Sequence, residues 1–147
     1  MSYLIVLLVA GAVLGPLMAV LPSKRQRYLA SQRDYAAAQG LAVRLRQLPE
    51  IPPRFRFEPP YDLMCYEVSF DPRKRPHWQP GLFVRTEAGW QSRDSDRQIP
   101  SVADALPAGA VVLVLGWDAL RVFWDEEGGE AAVDQVAHVL GELRRAD

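Results

Sequence analysis

Nineteen consecutive residues without a charged or strongly polar side chain, Tyr3 to Leu21 (YLIVLLVAGAVLGPLMAVL), constrain this chain more than any other feature. As a helix rising 1.5 Å per residue, the run reaches roughly 28 Å, close to the ~30 Å hydrocarbon core of a bilayer. A helix packed on the core of a small soluble domain needs a polar face toward water, and this run has none. The rival is a cleaved signal peptide, which requires a basic start, an apolar stretch of about 7–15 residues and a small-residue cleavage site. Only Met1-Ser2 precedes the run and Pro22-Ser23-Lys24 follows it, so the expectation is a transmembrane anchor over residues 1–22.

The charges give the anchor a direction. Lys24, Arg25 and Arg27 follow the run and no Lys or Arg precedes it. The positive-inside rule then expects the N-terminus outside a bacterial inner membrane and the rest of the chain in the cytoplasm. Residues 24–56 carry net charge +6, residues 57–115 carry −2 and residues 116–147 carry −5, which returns the overall −1. The basic share lies against the apolar run, where Lys24, Arg25, Arg27 and Arg33 suit anionic lipid heads. The single cysteine, Cys65, forbids an intrachain disulfide and accords with a reducing compartment. Within the run, Gly11, Gly15 and Ala19 recur every four residues and share one helix face. Such a face admits close approach of a second helix, from another copy or from a larger membrane complex, although small residues are also common in any span. Pro16 kinks the helix inside this motif.

After the run, Ser23 is a helix N-cap, and a basic juxtamembrane helix is expected over 23–40, closed by Gly40. Residues 41–147 then read as one small cytoplasmic α+β domain. Leu41 to Arg46 alternates apolar and polar as a half-buried strand, and five prolines between 49 and 60 stiffen an extended loop. Residues 63–70 form a second strand, 71–80 a loop, 82–86 a third strand and 90–92 a short fourth. Residues 101–106 form a helical turn. Ala110 to Leu115, AVVLVL, reads as a fully buried central strand, and 120–124 as its hairpin partner. Glu130 to Arg145 is a helix whose Val133, Val136, Ala137, Leu140 and Leu143 form one stripe. The loops of the middle section are too short for crossover helices, which predicts an antiparallel or mixed sheet with a C-terminal helix packed on it.

Chemistry is sparse. No GxGxxG, Walker or GxSxG sequence occurs. Asp125-Glu126-Glu127 with Glu130 has the oxygens for a divalent cation, but lies where acids favour a helix start. Arg73-Lys74-Arg75 with Trp78 is a solvated hairpin tip or a loop for a lipid or protein partner. Cys65 sits mid-strand as a small core residue, with neither His77 nor His138 tied to it by spacing. Trp124 belongs to the core, whereas Trp117 at a turn is harder to place. No catalytic residue, cofactor, metal or nucleic acid is expected, and no small-molecule substrate is identified.

The opening layout, a span followed at once by Leu21-Pro22-Ser23-Lys24-Arg25-Gln26-Arg27, resembles the YajC family of small Sec preprotein translocase accessory subunits. The resemblance covers roughly residues 3–45 and carries no functional residues over; the family's glycine-rich β domain is not seen here. The small-residue face of the span and the absence of a chemical motif point to a single-pass, non-enzymatic accessory or scaffold subunit of an inner-membrane complex, with a membrane protein or second copy as partner, and the resemblance implies preprotein translocation as one setting. Two alternatives are a regulatory module that binds the lipid surface through residues 24–56 and an enzyme with an unrecognised site.

Overall fold

The computed structural model describes residues 2–59, 62–71, 73–74 and 76–145. Two compact units emerge, residues 1–31 and residues 32–147. The first unit is dominated by helix α1 (Ser2–Val20), which contains Pro16 and buries none of its residues. It is long and apolar enough to cross a membrane, by length and composition. A Cβ added at Gly11 or Gly15 would meet nothing within 4 Å, so no contact among the described residues requires glycine there.

Helix α2 (Lys24–Ala38) opens with a capping box. The Gln26 N–H donates to Ser23 Oγ at 3.1 Å and the Ser23 N–H donates to Gln26 Oε1 at 2.8 Å. Its end is closed by Gly40 at φ +83°. There Leu41 N–H reaches Ala36 O and Gly40 N–H reaches Ala37 O, each at 3.0 Å, the paired bonds of a glycine-terminated helix.

The second unit is an α+β domain built on one six-stranded sheet. Its strands are β1 (Ala42–Arg44), β2 (Met64–Ser69), β3 (Gly81–Thr86), β4 (Gly89–Ser92), β5 (Ala110–Leu115) and β6 (Ala119–Trp124). They lie in the order β1-β2-β6-β5-β3-β4, and each neighbouring pair is antiparallel, which resolves the mixed-or-antiparallel alternative. The AVVLVL run is an inner strand, as its continuous apolarity predicts, with a register shift between Ala110 and Val112.

Because successive strand residues point to opposite faces, the sheet separates two cores. On one face Tyr66, Phe83, Leu113, Val122 and Trp124 meet Val133, Val136, Leu140 and Leu143 of helix α3 (Gly129–Arg145). Tyr66 and Trp124 pack edge to face with ring centroids 5.0 Å apart. On the other face Cys65, Leu82, Val84, Val112 and Phe123 are covered by Leu48, Ile51 and Phe57 of the proline-rich segment after β1. That segment therefore acts as a lid of the second core, a role a two-layer reading of the sequence does not assign to it.

Candidate functional site

The pairing register lines up side chains across the second face. One row runs Leu82, Val114, Arg121, Glu67, Ala42, and the next runs Val84, Val112, Phe123, Cys65, Arg44. Glu67 thus sits between Arg121 and Ala42 on the sheet and is 1% exposed. A carboxylate in that position demands partners, and three arginines supply them. Arg46 donates from Nε and Nη2 at 2.8 and 3.0 Å, Arg121 donates from Nε at 3.0 Å, and Arg44 Nε forms an ion pair at 2.9 Å. Arg121 also donates from Nη2 to Asp118 at 2.6 Å. Its guanidinium lies over the β5–β6 turn, where a Cβ on Gly116 would come within 3.2 Å of Nη1.

Electrostatics follow the geometry. Burial pushes the Glu67 carboxyl up, but the hydrogen bonds and charges of Arg46 and Arg121 outweigh it and hold it below the ordinary carboxylate range. Arg121 is lowered by burial and raised more by Asp118 and Glu67, so it stays firmly cationic. The neighbouring Cys65 thiol is pushed up to about 12, first by burial and then by the Glu67 charge. It is therefore a protonated core thiol at neutral pH and no nucleophile.

Beside this cluster opens a cleft of about 530 Å³. Val114, Arg121 and Phe123 form its floor on the sheet, and Leu45, Arg46 and Pro49 form the wall that leaves β1. Apolar surface and fixed cations stand side by side there.

The residues singled out from the sequence are distributed as follows. Lys24, Arg25 and Arg27 are exposed on α2. Arg33 departs from that set: its Nε and Nη2 donate to Glu126 at 2.8 and 2.7 Å, so its guanidinium is engaged within the domain rather than left for a lipid head. Glu126, read as part of an acidic helix start, is buried at φ +60° and also accepts from Tyr66 Oη at 2.9 Å. Asp125 accepts from the Glu127 N–H at 3.0 Å. Among the described residues, no group of three His, Cys, Asp or Glu is placed to hold a metal ion. Arg73 and Lys74 are exposed, and Arg75 lies outside the described residues. Trp78 does not join them on a free loop. It donates Nε1–H to Gly116 O at 3.2 Å and packs against Phe70 at 4.9 Å. Trp124 is fully buried, whereas Trp117 is 59% exposed.

Glu67 and its arginines form no sequence motif because they come from three separate strands, β1 with its C-terminal flank, β2 and β6. A charge in the middle of an apolar strand was the available signal. No family model, curated protein or solved structure matches this chain.

Proposed function

We propose that this chain is a single-pass membrane subunit whose helix α1 crosses the bilayer and whose sheet domain acts in the cytoplasm as a non-catalytic binding module. One observation carries the reading: a nineteen-residue apolar helix of which nothing is buried. A surface of that size and apolarity is unstable in water and needs lipid or another apolar helix around it. Exposed Lys24, Arg25 and Arg27 beyond the run support the cytoplasmic orientation and contact with anionic lipid heads. The open Gly11/Gly15/Ala19 face supports a helix partner inside the membrane, and the YajC-like layout makes the preprotein translocase the first complex to examine.

Three measurements test this. Membranes from cells producing the chain are washed at alkaline pH, and the retained protein is weighed by mass spectrometry. Retention with Tyr3–Leu21 intact is the expected result; release, or a mass lacking that segment, overturns the anchor. Protease treatment of sealed spheroplasts should leave the domain protected, and digestion of it reverses the orientation. Purification in mild detergent should recover a stoichiometric partner or a homodimer that Gly11→Leu/Gly15→Leu loses. Recovery of the monomer alone overturns the subunit reading.

A further inference from the structure

We infer that the cleft beside Glu67 binds a small amphipathic anion, an oxyanion head such as a carboxylate or phosphate monoester carried on an apolar body. The inference rests on the cleft and not on the anchor, and the two can fail separately.

The head-group preference comes from charge and from donors. Arg44, Arg46 and Arg121 supply three positive charges against one each on Glu67 and Asp118, so the cluster keeps one positive charge. A guanidinium has five N–H donors. Arg46 directs Nε and Nη2 at Glu67, and Arg121 directs Nε at Glu67 and Nη2 at Asp118. Among the described residues, Nη1 of each remains without a hydrogen-bond acceptor. Arg46 and Arg121 both line the cleft, so two guanidinium groups with spare donors border one concavity.

Preorganisation comes from Glu67. An arginine free in solvent loses considerable rotamer entropy when it grips a ligand, whereas these two are already held at their Nε edges by a carboxylate inside the sheet. Guanidinium groups match carboxylate and phosphate oxygens in shape as well as in charge. The body preference comes from Val114, Leu45 and Pro49, which give the same concavity apolar surface. Leu45 is 83% exposed at its rim, an apolar side chain that the fold itself does not use. The volume falls within the range of about 300–1,000 Å³ usual for small-molecule sites. A bare inorganic anion would satisfy the arginines and waste the walls, and a neutral apolar molecule would do the reverse.

The test uses the full chain in phosphatidylcholine nanodiscs, with arginine side-chain N–H resonances as reporters. The probes are 3-phenylpropionate, 3-phenylpropyl phosphate, neutral 3-phenylpropanol and inorganic phosphate. The two anionic aryl probes should shift Arg46 and Arg121 Nε–H saturably, each at least about tenfold tighter than the alcohol and than inorganic phosphate. Which of the two binds tighter assigns the head group. Leu45→Glu, at a site exposed enough to leave the fold intact, should weaken both anionic probes by about tenfold while unfolding at the wild-type temperature. Equal affinity for the alcohol and the anions, saturable shifts confined to other arginines, no saturation, or indifference to Leu45→Glu would overturn the inference.

Discussion

Replacing Glu67 by glutamine tests the central cluster directly. The substitution keeps shape and one carbonyl acceptor but removes the charge that three arginines share. Arg44 and Arg46 are 60% and 41% exposed, so water takes over most of what Glu67 provides them and their share is left uncounted. Arg121 is different: at 16% exposure it sits on the sheet floor and keeps only the exposed Asp118 as a counter-charge. Removing one partner of a buried ion pair costs about 3–5 kcal/mol, and a retained neutral hydrogen bond returns about 1 kcal/mol. The expected loss is therefore about 2–4 kcal/mol, or roughly 8–16 °C in Tm for a domain of this size. Thermal unfolding of the full chain in non-ionic detergent, followed by tryptophan fluorescence, measures it.

The loss carries a pH signature. The folded-state pKa of Glu67 lies below its unfolded value. Its stabilisation is thus complete above the unfolded value, near pH 4.3, and declines as pH falls through the folded value. Wild type and Glu67→Gln should differ fully at pH 7 and draw together as pH falls below about 4.3. In the double variant Glu67→Gln/Arg121→Gln, the stranded cation is gone, and the combined loss should be at least about 1 kcal/mol smaller than the sum of the single losses. A single variant within about 0.5 kcal/mol of wild type, a gap unchanged down to pH 3, or strict additivity would refute the reasoning.

Three further outcomes are expected. Glu126→Gln, which weakens two bonds from Arg33 and one from Tyr66, should cost about 2–3 kcal/mol and speed amide exchange over residues 32–38, read by mass spectrometry. Cys65 should resist a neutral-pH thiol reagent in the folded chain and react at once in denaturant, since it is fully buried and its thiol titrates only near 12. Leu140→Ala, which empties a fully buried position on α3, should lower unfolding free energy by about 2–5 kcal/mol in a urea titration.

The elements were legible wherever local pattern and tertiary role agree. The stripe of α3, the apolar run of β5, the Ser23 cap and the Gly40 stop are all local signals, and each appears where it was expected. β1 is shorter than the alternation from Leu41 to Arg46 predicts. Pairing ends at Arg44 opposite Cys65, and the chain then leaves the sheet edge to cover the second core with Leu48, Ile51 and Phe57. The candidate site was not legible, because it depends on strand order. Only once β6 lies between β2 and β5 do Glu67, Arg121 and Val114 stand in one row. Arg33 shows the same limit from another side. It sits in a basic run whose composition suits lipid heads, yet its acceptor lies 93 residues away in sequence.

Strand β2 unites two polar networks of the domain. Tyr66 and Glu67 are consecutive, so they face opposite sides of the sheet. Tyr66 reaches the Arg33–Glu126 pair beneath the helices, and Glu67 gathers Arg44, Arg46 and Arg121 under the proline-rich segment. Well-packed apolar residues in place of such buried ions are often as stable or more so, so stability alone does not account for them. Their effect on geometry is larger. β1 has only three paired residues, too few to hold an edge strand firmly, and the Glu67 contacts with Arg44 and Arg46 fix both its register and the departure of the following segment. That departure forms the wall of the cleft. The carboxylate that pins β1 is therefore also the group that aims the arginines, and loss of Glu67 should disturb ligand affinity and lid position together, whereas Leu45→Glu should affect affinity alone.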